Sequence, residues 1–137
     1  MSTPGRLHHL ELWMDDATST DGPWPWLLQR LGYRLASSWE TGRSWTLEDA
    51  YVALESGSAH VRGPQNRLRS GLNHVAFWAG SRADLDALVA DAVEHGWTLM
   101  FADQHPHAGG PDTYAAYLED AAGFEVELVA ESPDDTA

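Results

Sequence analysis

Two histidines stand at matching places in a segment that occurs twice in this chain. Residues 7–13 (LHHLELW) are matched 65 positions later by residues 72–78 (LNHVAFW), which aligns His9 with His74. In a chain of 137 residues this offset predicts two copies of one supersecondary unit. Imidazole is the commonest metal ligand in proteins, so two imidazoles that face each other across the repeat predict a metal site.

Each histidine is expected on a β-strand that holds it on one face of a sheet. Residues 9–14 (HLELWM) change character from one position to the next, as in a half-buried strand. Side chains two apart share a face, so His9 and Glu11 point one way while Leu10 and Leu12 point the other. His8 competes with His9, but its parity sends it to the apolar face or to the frayed start of the strand. The repeat alignment favours His9.

Turn and cap signals extend the repeat, and each half is predicted to run β-α-β-β-β. A first helix begins near Pro23 and ends at Gly32, whereas a second begins at a Ser81–Asp84 capping box and ends at Gly96. The apolar stripe of the second helix is Leu85, Leu88, Val89, Ala92 and Val93. Further strands are predicted at 33–40, 44–47 and 51–55 in the first half, and at 72–78, 97–102, 114–118 and 124–129 in the second.

These elements predict a single domain that spans residues 1–137. Its parts are module one at about 7–56, a connector at 57–71, module two at 72–130 and an acidic tail at 131–137 that stays loose. The connector contains Arg62, Arg67 and Arg69 in an otherwise acidic chain. It is either a solvated linker or a lip that meets an anionic substrate.

Composition restricts the classes of partner. The formal net charge is −13, with eight arginines and no lysine, which argues against nucleic acid and against an anionic membrane because both require a positive surface. Cysteine is absent and no long apolar run occurs, so we expect neither a disulfide framework nor a signal peptide nor a membrane span. The expected location is the cytoplasm.

The end of the second half carries the most specific pattern. Residues 117–128 (YLEDAAGFEVEL) are similar to the tyrosine, Asp-Pro-x-Gly turn and terminal glutamate of the vicinal oxygen chelate superfamily, which comprises glyoxalases, bleomycin resistance proteins and extradiol dioxygenases. Residues 27–33 (LLQRLGY) resemble the end of that superfamily's first helix. Ala121 replaces the usual proline, and the turn is expected to persist because Gly123 supplies a permissive backbone. The resemblance covers about residues 7–130.

The resemblance implies an α+β fold in which two tandem βαβββ modules form an open, cup-shaped barrel with the helices outside. It also implies a homodimer, and a divalent metal ion inside the cup that is held by His9, His74 and Glu127. The alternation of side chains along the last strand agrees with this role for Glu127, because Val126 and Leu128 occupy the apolar face and Glu127 points the other way. Two imidazoles and one carboxylate suit Fe(II), and also Mn, Ni, Co or Zn. For a single histidine at a strand start, a structural role is the usual alternative.

A fourth metal ligand is a separate question. Glyoxalase-like members supply a glutamate from the last strand of the first module, but our alignment places Ala53 opposite Glu127. Glu55 lies two residues further on the same face, where a shift of register would bring it in. Ligation by Glu55 would favour a glyoxalase or isomerase site, whereas a three-ligand site is more similar to the dioxygenases or the fosfomycin-type transferases.

Two further groups could contribute proton transfer. Residues 103–112 (DQHPHAGGPD) form a predicted rim loop, and such loops often carry chemistry. The order of His107 and Tyr117 is similar to the acid/base histidine and tyrosine of extradiol dioxygenases, although the spacing is longer and Ala116 replaces a large apolar residue. As alternatives, His107 lies in a surface loop that has no function, and Tyr117 is an ordinary packed aromatic residue.

Tryptophans are expected to wall the substrate pocket. Trp13 and Trp78 follow the two histidines by four residues on the same face, and Trp39 or Trp45 would complete an aromatic pocket. The alternative is that they fill the barrel.

The resemblance therefore implies a small metal-dependent enzyme, in which the ion binds two neighbouring oxygens of a small organic substrate. Isomerase or lyase chemistry and ring cleavage by a dioxygenase are both consistent with it. The main alternative is a metal-free protein that sequesters an antibiotic, as bleomycin resistance proteins do, because an acidic cup rich in tryptophan suits a cationic aromatic drug. A ligand sensor without catalysis is a second alternative.

Overall fold

The computed structural model describes residues 3–131, and the chain divides at the Pro64–Gln65 bond into two compact units. Each unit contains one helix and four strands in the order β-α-β-β-β, so the predicted two-module α+β architecture is confirmed. The predicted acidic tail lies outside the described residues from residue 132 onward. Across residues 3–131, the helices are too short or too polar to cross a membrane.

The first unit consists of β1 (His9–Trp13), α1 (Pro23–Arg30), β2 (Arg34–Trp39), β3 (Gly42–Leu47) and β4 (Ala50–Glu55). Its sheet has the order β1-β4-β3-β2, in which β1 and β4 are parallel and the other pairs are antiparallel. The alternation predicted for β1 is observed, because Leu12 is buried whereas Glu11 and Trp13 are exposed. We call the surface that bears His9, Glu11 and Trp13 the His9 face.

Helix α1 begins where Pro23 supplies its first residue, a position at which the missing N–H costs nothing. It ends because Gly32 adopts a φ of +102°, and the Tyr33 amide then donates to the Leu28 carbonyl at 2.8 Å. The apolar residues of this helix and of the opposite sheet face form the core of the first unit: Leu12, Trp24, Leu27, Leu28, Trp45, Val52 and Leu54.

The second unit consists of β5 (Val75–Trp78), α2 (Arg82–Ala92), β6 (Trp97–Met100), β7 (Ala115–Asp120) and β8 (Glu125–Val129). The order of its sheet is β5-β8-β7-β6, which repeats the topology of the first. The strand predicted at 72–78 begins only at Val75, so His74 lies one residue before β5. The preceding residues bond to the connector instead: Gln65 Nε2 donates to the Leu72 carbonyl at 3.0 Å.

Helix α2 begins with the predicted capping box. Ser81 Oγ accepts from the Asp84 amide and the Asp84 carboxylate accepts from the Ser81 amide, both at 3.0 Å. Leu85 and Leu88 are buried, and the helix packs on β6 and β7. The predicted stripe extends one residue too far, because the helix ends at Ala92 and the cap residue Val93 is 47% exposed.

The turn between β7 and β8 forms without the proline of the family pattern. Asp120 Oδ1 accepts from the amides of Ala122 at 3.0 Å and Phe124 at 2.9 Å. Gly123 has a φ of +92°, and a Cβ at this position would collide with the Gln65 carbonyl oxygen. The connector residue Gln65 also donates its amide to the Ala122 carbonyl at 2.8 Å. The turn therefore needs glycine for its backbone and for close contact with the connector.

Candidate functional site

The second unit brings together an imidazole and a carboxylate that were both predicted as metal ligands. His74 Nε2 lies 3.3 Å from Glu127 Oε1, and the Glu127 side chain is 14% exposed. On β8, Glu127 pairs with Ala76 of β5 and Tyr117 of β7, and we call this surface the Glu127 face. Its position follows from the parity of β8, since the flanking Val126 is fully buried on the opposite face.

Tyr117 contacts both members of this pair. Its ring packs edge-on against His74, with the ring centroids 5.9 Å apart, and its hydroxyl hydrogen-bonds to the Glu127 carboxylate. Burial first, and then the charge and hydrogen bond of Glu127, raise the pKa of the Tyr117 hydroxyl above its ordinary value near 10. The phenol therefore keeps its proton at neutral pH and donates a hydrogen bond to Glu127.

The loop between β6 and β7 closes over the Tyr117 ring. Phe101, just after β6, packs edge-on against Tyr117 at a centroid distance of 5.7 Å. Gly109 lies so close that a Cβ there would be 2.8 Å from the Tyr117 hydroxyl oxygen. This loop therefore bounds the space next to the Tyr117–Glu127 pair.

His107 belongs to a different cluster. Its Nδ1 lies 2.9 Å from the Thr113 carbonyl oxygen, and its ring packs edge-on against Tyr114 at 5.9 Å. The Tyr114 hydroxyl donates to both carboxylate oxygens of Asp86 on α2, at 2.8 and 3.0 Å, and this hydrogen bond is the main cause that raises the Tyr114 pKa. The structure thus brings Tyr117 to Glu127, and it brings His107 to Tyr114, which is tied to α2.

A second carboxylate shares the Glu127 face and was missed by sequence analysis. Glu125 is only 5% exposed, and its Oε1 lies 3.2 Å from Nε of Arg67 in the connector. Parity could have placed Glu125 on this face, since it lies two residues before Glu127 on the same strand, but its pairing with Arg67 has no local signal in the sequence. One of the three connector arginines therefore neutralises a buried acid of its own unit.

In the first unit, His9 has aromatic neighbours. Its ring stacks on Tyr51 of β4, with centroids 4.6 Å apart and planes at 3°. The Nδ1 atoms of His9 and His8 are 2.9 Å apart, so one ring donates to the other. His8 precedes β1, which agrees with the frayed-start alternative, and its ring also meets Tyr51 edge-on. His9 lies on the predicted face, beside an aromatic residue of β4.

Glu55 ties the β2–β3 hairpin to the end of β4. Its Oε2 accepts from Trp39 Nε1 at 2.6 Å, its Oε1 accepts from the Thr41 hydroxyl, and the backbone of Ser56 and Gly57 also hydrogen-bonds to it. These hydrogen bonds, with Thr41 the strongest influence, lower the pKa of Glu55. Both carboxylate oxygens therefore have donors within the first unit.

The register of the first sheet shows on which face each tryptophan of that unit lies. Residues that pair across neighbouring strands share a face, and Trp13 is linked to Trp39 in this way through Glu55 and Gly42. Trp13 and Trp39 therefore both lie on the His9 face. Trp45 lies on the other face and is buried in the core. Trp13 Nε1 donates to Glu11 Oε2 at 2.6 Å. In the second unit, Trp78 at the end of β5 is 73% exposed.

The chemistry of the His74–Glu127 pair fits a divalent metal ion. Two ligand atoms that each lie about 2.0–2.2 Å from one ion, at tetrahedral or octahedral angles, are about 2.8–3.6 Å apart. The observed separation of 3.3 Å falls in this range. Within the part of the chain that is described, no group of three or more His, Asp or Glu side chains is placed to hold a metal ion. The full set of His9, His74 and Glu127 stays a prediction.

Comparison with known proteins gives the family. Residues 8–117 match the family model of the Glyoxalase/Bleomycin resistance protein/Dioxygenase superfamily. The uncharacterized protein YqjT of Bacillus subtilis (strain 168) is 35% identical over 127 residues, which are 92% of this chain and 99% of YqjT.

Solved structures agree with this family assignment. A Bacillus halodurans protein provisionally assigned as a glyoxalase is 37% identical, with a TM-score of 0.85 and coverage of 93% of this chain and 97% of that one. A fosfomycin resistance protein, FosX from Listeria monocytogenes, was solved with Mn(II) and 1S,2S-dihydroxypropylphosphonic acid. It is 16% identical, with a TM-score of 0.67 and 98% coverage of both chains, and shares the fold. The chain belongs to the glyoxalase/bleomycin resistance protein/dioxygenase superfamily.

Proposed function

We propose that this chain is a metal-dependent enzyme that acts on a small organic substrate with two neighbouring oxygen atoms. The observation that carries the proposal is the 3.3 Å separation of His74 Nε2 and Glu127 Oε1, which suits two ligands of one ion. His9 remains the hypothetical third ligand and is tested separately. The FosX relative was solved with Mn(II) and a compound that has hydroxyls on adjacent carbons, which supports this metal and substrate class.

A divalent ion would supply Lewis acidity toward the two substrate oxygens, as isomerases, lyases and ring-cleaving dioxygenases of this type require. The residues of this chain orient and enclose the reaction. Tyr117 holds Glu127 through its hydroxyl and keeps a proton beside it. Phe101 and Gly109 lie against the phenol ring and bound the space beside it. His107 is retained as a proton-transfer residue in the hypothesis, although its contacts are with Tyr114 and the Thr113 carbonyl.

Metal analysis tests the proposal. Untagged protein is incubated in turn with Mn²⁺, Fe²⁺, Ni²⁺, Co²⁺ and Zn²⁺, dialysed and analysed for bound metal. We expect one ion per chain in the wild type, none in Glu127→Ala, and wild-type content in Glu119→Ala, which removes a carboxylate from the neighbouring strand β7. A wild-type chain that retains none of the five ions would overturn the proposal.

A second candidate function is metal-free binding of a cationic aromatic antibiotic. The observation in its favour is that the exposed Trp13 and Trp39 share the His9 face and donate to Glu11 and Glu55, so indole rings and carboxylates lie side by side. Such surfaces attract organic cations. Saturable quenching of tryptophan fluorescence by bleomycin, in protein that binds none of the metals, would establish this function instead.

The resemblance to the superfamily also leads us to propose a cytoplasmic homodimer. Light scattering coupled to size-exclusion chromatography measures its mass directly. A mass of one chain, 15.1 kDa, across the concentration range would show that the protein is a monomer.

A further inference from the structure

Asn73 connects the candidate ligand His74 to the connector. Its Nδ2 donates to the Arg67 carbonyl at 3.1 Å, and its Oδ1 lies 2.7 Å from His74 Nδ1. The guanidinium of the same Arg67 contacts the buried Glu125. A continuous series of contacts therefore runs from β8 through the connector to the imidazole.

The chemistry of these contacts determines the orientation of the Asn73 amide. A carbonyl oxygen only accepts hydrogen bonds, so the amide atom that faces the Arg67 carbonyl must be the nitrogen. The atom that faces His74 is then the amide oxygen, which also only accepts. His74 Nδ1 must therefore carry a hydrogen and donate it to Asn73.

This hydrogen leaves Nε2 as the ring nitrogen that faces Glu127. At 3.3 Å from a carboxylate oxygen, Nε2 needs either a proton or a shared cation between the two atoms, because two lone pairs would repel each other. A histidine that binds a metal ion commonly donates its other ring N–H to an oxygen acceptor, and this bond fixes both tautomer and ring orientation. In this chain the acceptor is the Asn73 side chain.

We propose that Asn73 is a positioning residue that accepts a hydrogen bond from His74 Nδ1 and thereby directs Nε2 toward Glu127. Arg67 serves as its anchor, because the ion pair with Glu125 fixes the residue whose carbonyl orients the amide. The role of Nε2 as a metal ligand rests on the proposed function. The hydrogen bond from Nδ1 to Asn73 does not.

The test is a long-range ¹H–¹⁵N correlation spectrum of protein labelled at histidine, recorded without metal. A His74→Gln spectrum identifies the His74 signals. In the wild type, Nδ1 is expected to carry a proton whose exchange with water is slowed by the hydrogen bond to Asn73. In Asn73→Ala, we expect the signal of that protected proton to be lost. Asn66→Ala is the matched control, since the Asn66 side chain accepts from the Leu68 amide in the same connector.

Titration with Mn²⁺ gives a second readout. Asn73→Ala is expected to weaken binding by roughly ten- to a hundredfold, the usual effect of removing a group that supports a ligating histidine.

A wild type without a protected proton on His74 Nδ1 would overturn the inference, even if Asn73→Ala fails to fold. An unchanged Nδ1 proton signal in folded Asn73→Ala would overturn it as well. If the wild type binds no Mn²⁺ but shows the protected Nδ1 proton that Asn73→Ala loses, the proposed function fails and the positioning role of Asn73 stands.

Discussion

The two units pair their first and last strands in the same register but carry the key carboxylate on different strands. In the first unit, Glu11 of β1 is opposite Ala53 of β4. In the second, Ala76 of β5 is opposite Glu127 of β8. The carboxylate and the alanine have changed places within one pair of facing residues. Duplication has thus preserved the backbone while the chemistry of the two copies has diverged.

The two histidines differ in the same way. His9 stacks on Tyr51 and contacts His8, whereas His74 lies between the amide of Asn73 and the carboxylate of Glu127. The stack on Tyr51 does not determine which nitrogen of the His9 ring carries a proton, whereas the Asn73 oxygen requires a proton on His74 Nδ1. Polar contacts therefore orient the imidazole of the second unit.

The first prediction asks whether both histidines are ligands. His74→Ala is expected to lower Mn²⁺ affinity by roughly a hundredfold or more, beyond the effect of residues that only support a ligand. The same loss is expected for His9→Ala if His9 is the third ligand, as the superfamily resemblance implies. Titrations followed by electron paramagnetic resonance measure both, with His95→Ala, just beyond α2, as control. Unchanged binding in His9→Ala would confine the metal site to the second unit.

The second prediction concerns two glycines with left-handed backbone. Gly63→Ala is expected to cost about 1 kcal/mol of unfolding free energy, because φ is +136° but the added Cβ meets nothing within 4 Å. Gly123→Ala should cost about 3 kcal/mol, since its Cβ also displaces the connector backbone at Gln65. Urea denaturation measures both. Equal losses would show that the contact with the connector contributes nothing.

The third prediction compares two tyrosines of the second unit. Tyr117→Phe removes the hydroxyl that holds Glu127, and we expect Mn²⁺ binding to weaken about tenfold. Tyr114→Phe removes only the hydrogen bonds to Asp86 and should leave Mn²⁺ binding unchanged while stability falls by about 1 kcal/mol. The hypothesis of a supporting role for the Tyr117 hydroxyl fails if the two variants bind Mn²⁺ equally well.

The fourth prediction concerns acid stability in the first unit. Because hydrogen bonds lower the pKa of Glu55 in the folded chain, its stabilising effect is present above the unfolded pKa and is lost as pH falls through the folded one. Because solvent screens this accessible carboxylate, Glu55→Gln should lower the free energy of unfolding by only about 0.5 kcal/mol at pH 7. The difference from wild type should shrink below about pH 4. Glu40→Gln controls for loss of one negative charge. A difference that does not change with pH would refute this role.

Local patterns made much of the fold predictable from the sequence. The repeat aligned His9 with His74, the Ser81–Asp84 capping box marked the start of α2, and Gly123 marked the last turn. Each depends on residues a few positions apart, where backbone geometry leaves few alternatives. Parity likewise located Glu127 on the face opposite Val126, because side chains of a strand alternate.

Contacts between distant segments were not predictable. No local pattern indicates that Arg67 reaches Glu125, or that Tyr114 reaches Asp86 and takes His107 with it. Sequence order grouped His107 with Tyr117, but packing of the loop decides which tyrosine the imidazole meets. Trp78 is a similar case. The strand face on which it lies was predictable from parity, but its 73% exposure was not.

Gly109 has no functional group, yet its lack of a side chain shapes the candidate site. Any Cβ at this position would stand 2.8 Å from the Tyr117 hydroxyl, so even alanine would push against the phenol that holds Glu127. The size of the side chain at residue 109 thus limits the space around the Tyr117 hydroxyl. A substitution there would narrow the site without changing any reactive atom.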